Sequence, residues 1–152
     1  VLLNFDGNDL DSGTVAEFMF AKALDIPAVV LRTDFRNSGD QNRSGDPWNL
    51  MCSGYPRTKV FTLNGMAWYQ EAFRASSSTA MVLETLYAKL AVEVIERLES
   101  VLQSKPIIAS DELRLTELYR WALAYPGSGL EEWLTEEELL QTLVKKRAKG
   151  SV

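Results

Sequence analysis

Two short apolar runs, VLLNF at 1–5 and AVVLR at 28–32, flank a segment, TVAEFMFAKAL at 14–24, that is rich in helix formers and meets no breaker before Pro27. Each apolar run has the length and continuity of a buried strand, and the first closes on the turn pair Asp6-Gly7. Strand, helix and strand within 32 residues make a βαβ unit, whose two strands are expected to lie parallel with a right-handed crossover. A third strand is expected at KVFTL, 59–63, after a polar stretch at 34–47 rich in Gly, Ser, Asn and Asp that reads as a long loop, either mobile or functional.

Further along, Val82, Leu86, Leu90, Val94, Leu98 and Val101 recur every three or four residues, predicting an amphipathic helix over 79–103 that covers the sheet or packs on another subunit. SDEL at 110–113 and TEEE at 135–138 resemble capping boxes, opening one helix that runs to about Ala124 and another that ends in KKR. The turn PGSG between them makes this tail a helical hairpin in which no chemical motif is visible. The division expected is therefore an α/β domain over 1–104 and a helical extension over 105–152. Val1 lies directly inside a β-like run, so the expectation is of an N-terminally trimmed or partial chain.

Composition narrows the chemistry. A chain of 152 residues with 46% hydrophobic and 24% charged residues has enough apolar mass for one globular core. With a net charge of −5 and no dense basic cluster before the C-terminal tail, a nucleic-acid partner is not expected, and the apolar runs are too short for a membrane span. No signal peptide is recognisable and Cys52 has no cysteine to pair with, so the expected location is cytoplasmic. The absence of histidine removes Ser-His-Asp and Cys-His catalysis and the usual zinc sites. Carboxylates remain as the main catalytic vocabulary.

The segment Asp6 to Glu17 places such carboxylates where a strand's carboxyl end feeds a loop and a helix start, the edge at which open α/β sheets bind ligands. Glu17 sits in a helix that is apolar nearly all round and shares its face with Gly13, Phe20, Ala21 and Leu24, which predicts a buried carboxylate. Thr14-x-x-Glu17 equally fits a capping box in which Glu17 only caps its own helix. Asp11, six residues earlier, is placed to converge with Glu17 on one pocket or to serve as an N-cap. Paired carboxylates suit glycosyl transfer, in which one attacks the anomeric carbon while an acid assists the leaving group.

The string DG-x-x-x-D-S-G-T-x-x-E, then A-K-A-L, P-A-V-V-L-R-T-D-F-R and N-L-M at 49–51, resembles the nucleoside 2-deoxyribosyltransferase family in content and order over about a third of the chain. That resemblance implies a parallel-sheet (flavodoxin-like or Rossmann-like) three-layer α/β core. It makes Glu17 the nucleophile that carries the 2-deoxyribosyl group, and Asp11 the second catalytic carboxylate, which helps bind substrate and is, with water, one of two sources of the departing base's proton. Asp6, Gly7 and Gly13 join them as substrate-binding positions. Asn49 matches an asparagine that reaches a neighbouring subunit's site, with Met51 beside it, so a homo-oligomer with shared sites is implied. The substrates implied are a nucleoside and a free nucleobase, with no metal and no cofactor.

Plainer roles exist for several of these positions. Asn49 also fits a helix cap, Met51 core packing, and Arg32, Asp34 and Arg36 either a surface charge cluster or a gate on the pocket. An N-glycosidase on the same scaffold, with water as acceptor, and a non-catalytic binding or scaffold protein are the other functions the sequence leaves open. The family's first strand, glycine loop and base-contacting aspartate would precede Val1.

Overall fold

The computed structural model describes residues 1–7, 9–34, 50–76, 78–108, 111–125, 127 and 129–150. Among them β1 (Leu2–Asn4), β2 (Ala28–Arg32) and β3 (Thr58–Thr62) form a parallel sheet in that spatial order. β2 is the middle strand and all five of its residues are buried, which accounts for the unbroken apolar run in its sequence. The chain is thus α/β with a small parallel sheet, as the strand-helix-strand pattern predicts.

Register assigns the side chains to faces. Leu3 stands beside Val30 and Val30 beside Val60, while Leu31 stands beside Phe61. On the first face Leu3, Phe5, Ala28 and Val30 pack with Phe18 of α1 (Ser12–Ala23) and Cys52 of α2 (Leu50–Ser53). Phe18 is fully buried and meets Phe5 and Tyr55 edge-on, at 6.4 and 5.7 Å between ring centroids. On the second face Leu31 and Phe61 pack with Val94 of α4 (Thr79–Leu102), flanked by Leu90 and Leu98. The helix expected over 79–103 forms within one residue of those bounds and covers the sheet; Ser78 caps it by accepting a hydrogen bond from Met81 N.

An element not foreseen is α3 (Gly65–Ala75), capped by Asn64, whose side chain accepts from Ala67 N at 2.9 Å. Its entry favours glycine: a Cβ on Gly65 would stand a tight 3.0 Å from the carbonyl oxygen of Thr33.

The tail forms α5 (Glu112–Ala124), α6 (Leu130–Trp133) and α7 (Glu136–Ala148). The cap of α5 is Asp111, one residue later than a box opening at 110 would put it, and Ser110 lies outside the described residues. The capping box at Thr135 and Glu138 forms as expected. Leu115, Tyr119 and Ala122 of α5 and Leu139 and Leu143 of α7 bury against Leu24, with Phe20 and Ile26 at the border. α1 is therefore apolar on two sides for two reasons, one side meeting the sheet and the other the tail.

A buried ion pair joins tail to core. Asp25, at a positive φ of 55°, follows α1 and lies 3.2 Å from Arg57, which precedes β3. The Asp25 carboxylate also accepts from the backbone N–H of Ile107 (2.5 Å) and Ile108 (3.0 Å), and Arg57 donates to the carbonyl oxygens of Asp25 and Gly150. Lys22 extends the network to Arg57 O and Thr58 Oγ1, and burial with the nearby Arg57 charge pushes its pKa down to about 8. No described helix is long and apolar enough to cross a membrane.

Candidate functional site

The carboxyl ends of β1 and β2 are fastened together by Asp6. Its carboxylate accepts from Thr33 N (2.5 Å), Thr33 Oγ1 (2.6 Å), Asp34 N (3.0 Å) and Asn4 Nδ2 (3.1 Å). Burial alone would raise its pKa, but these donors outweigh it and hold the carboxyl below the ordinary aspartate value. Gly7 follows at a φ of 117°, a conformation that suits glycine. Its N–H donates to Asp34 Oδ2 at 3.0 Å and its carbonyl accepts from Arg32 Nη2 at 2.8 Å. Arg32 is buried, 4% exposed, and also reaches Phe5 O. The surface-cluster reading of Arg32 therefore fails, because its guanidinium satisfies the carbonyls of the β1 turn.

Asp11 is the N-cap of α1, the plainer of its two expected roles. Its Oδ2 accepts from Thr14 N at 2.7 Å and Thr14 Oγ1 at 2.8 Å. Those bonds, opposed only in part by desolvation, lower its pKa. Gly13 lies under this carboxylate, where a Cβ would come within 3.2 Å of Oδ2. Asp6 and Asp11 are thus both held ionised, which suits orienting a hydroxyl or an N–H group and does not suit giving a proton to a leaving base at neutral pH.

Glu17 departs from both expectations. With Asp11 as N-cap, the residue paired to it in the first turn is Thr14, so the Thr14–Glu17 capping box does not form. Nor is Glu17 buried: Ala16, Glu17 and Met19 are exposed on the strip of α1 left between the sheet and the tail. No hydrogen bond or ion pair engages its carboxylate among the described residues. Glu17 lies roughly 9 Å along the helix axis from Asp11, so α1 does not set the two backbones side by side. The two carboxylates share a helix end and divide the work, one fixed in the cap and one open to solvent.

Of the remaining positions, Met51 is 68% exposed in α2, which removes the core-packing role expected as its plainer one. Asn49 and Arg36 lie outside the described residues. Residues that the sequence did not single out are Thr33 and Asn64-Gly65; Gly65 N donates to Thr33 O at 2.9 Å, bringing the start of α3 to the same sheet edge. The Asn-Gly pair was the only local signal for them, and it reads equally as a turn.

Comparison with family models, with curated proteins and with solved structures finds no match to this chain.

Proposed function

We propose that this chain transfers a 2-deoxyribosyl group between nucleobases through a covalent glycosyl-enzyme on Glu17. One observation carries the proposal: Glu17 is a solvent-open carboxylate, spared from capping by Asp11, on the helix that starts at the carboxyl edge of a parallel sheet. Its carboxylate oxygen would attack C1′ as the bond from C1′ to the base nitrogen breaks, and an incoming base nitrogen would then displace it. Asp11 and Asp6, both held ionised, are assigned to orienting the substrate, so the departing base takes its proton from water. Asp6, Gly7, Gly13, Asn49 and Met51 are assigned to the rest of the binding site.

Several finer features belong to the same proposal. The sheet would be the centre of a three-layer flavodoxin-like core, consistent with helices packed on both of its faces. A homo-oligomer with shared sites is favoured by the exposed apolar residues Met81, Tyr87, Val92 and Ile95 of α4, and a cytoplasmic location belongs to the same proposal. The exposure of Glu17 also supports a second reading, an N-glycosidase in which water resolves the intermediate.

Incubation with a 2-deoxynucleoside, with and without a different free base, followed by chromatography, tests both. A new nucleoside that forms only with the second base and not with Glu17→Ala is the expected result. Free sugar regardless of added base would establish the hydrolase instead. Turnover undiminished in Glu17→Ala would sink both.

A further inference from the structure

The tail docks on α1 beside the open strip that carries Glu17. Phe20 and Leu24 stand three and seven residues after Glu17, stacked on one side of α1. Leu24 packs in the cluster that holds Leu115, Tyr119 and Ala122 of α5, and Phe20 lies at its border. The direction of α5 follows from its contacts. The segment before it is tied to Asp25, at the far end of α1, through Ile107 N and Ile108 N. Its last turns, in contrast, bring Trp121 and Tyr125 to Phe20, at 5.6 and 5.5 Å between ring centroids. α5 therefore runs antiparallel to α1, from the sealed end of the molecule towards Glu17.

Three rings gather where it arrives. Trp121 and Tyr125 are 4.9 Å apart at a tilt of 40°, and Phe20 lies against both at 35° and 31°. Phe20 is half-buried and forms the floor, yet Trp121 is 45% and Tyr125 65% exposed. Leu115, Tyr119 and Ala122 already bury the apolar side of α5, so the core does not require two further aromatic rings beside it. Contiguous exposed rings next to a reactive group offer a π face to a planar ligand. Phe20 is one helical turn from Glu17, with Cβ atoms roughly 5–6 Å apart. Glu17 and the floor of the ring trio are therefore neighbours on the surface of α1.

We infer that Phe20, Trp121 and Tyr125 form a stacking platform for the nucleobase, contributed mainly by the C-terminal tail. This assignment of the base subsite rests on Glu17 being the nucleophile. No covalent step is added: the platform holds the planar ring while the bond to C1′ breaks or forms. Stacking tolerates any base because each has a π face, so purines and pyrimidines are both expected to bind.

The test is equilibrium dialysis of the full chain against labelled free adenine and, separately, thymine. Trp121→Ala and Tyr125→Ala are each expected to weaken binding at least tenfold, about 1.4 kcal/mol, while Trp121→Phe retains most of it and Trp133→Ala is unchanged. Tyr125 is largely exposed, so its alanine variant keeps the decision clear of folding defects. Base affinity unchanged in both alanine variants, or no binding of either base by the parent chain, overturns the platform. The outcomes separate from those of the function itself. Glu17-dependent transfer with trio variants of normal affinity removes the platform alone; ring-dependent base binding without any turnover removes the transferase and leaves the platform standing.

Discussion

The two ends of the sheet are both organised by an aspartate that accepts two successive backbone amides, with opposite results. At the carboxyl edge the exposed Asp6 carboxylate accepts from Thr33 N and Asp34 N, with no cation paired to it among the described residues. At the amino end Asp25 takes Ile107 N and Ile108 N, but Arg57 seals it, and their side chains are only 5% and 1% exposed. The same amide pair thus builds an open edge where the carboxylate stays accessible, and a closed joint where it does not. Burial decides which: a carboxylate taken out of water needs a partner charge, and that partner consumes the sites a ligand would use.

That contrast puts the largest effect of any single change at the closed end. Arg57→Ala leaves Asp25 buried without its cation and is expected to cost about 3–5 kcal/mol, read as a lowered urea midpoint; a loss below about 1 kcal/mol would show that the joint is not sealed. At the open end Asp6→Ala frees the same kind of amides to water, and a loss of only about 1 kcal/mol is expected.

Acid sharpens the comparison. The folded pKa of Asp6 is depressed, so its contribution is fully present above the unfolded aspartate value, about 3.9, and is lost as pH falls through the lower folded value. Parent and Asp6→Ala should therefore converge in stability as pH drops below about 4, as followed by thermal melts across a pH series. Persistence of the full difference at low pH would mean that Asp6 acts by packing and not by charge.

Asp11→Ala should lower the melting temperature by a smaller margin, because a solvent-exposed cap is lost. The smallest effect belongs to Glu17→Ala, within about 0.5 kcal/mol, since no cap depends on it. Calorimetry of these two variants ranks them directly, and a destabilised Glu17→Ala would return Glu17 to a structural role.

Periodicity made most of the fold legible. β2 coincides with AVVLR, and the long helix and the capping box at Thr135 are where pattern places them. α3 is the element missed: Asn64-Gly65 imitates a turn, although the helix that follows is strongly amphipathic and its rhythm was there to be read. In α1 the pattern misleads about Glu17: apolar residues all round suggest one buried surface, whereas two covers, sheet and tail, leave an open strip between them. The Asp25–Arg57 pair joins residues 32 apart, a relation that local spacing cannot carry. For the site, Asp11, Glu17 and Asp6 were visible as residue types in a strand-loop-helix context. Their division into two fixed carboxylates and one open one depends on which donors the folded chain supplies.

The ion pair has a further consequence, for the connectivity of the molecule. Ile107 and Ile108 at the start of the tail hold Asp25, and Gly150 at its end accepts from Arg57, so residues 107–150 leave and return at one point. Such a segment is a closed loop whose interior length matters little to the sheet, since loop entropy changes only slowly with length. A nick at Gly127 or Gly129, between α5 and the rest of the tail, would leave both fragments anchored to the same pair, and the chain would survive as a two-piece complex where a dangling extension would be shed.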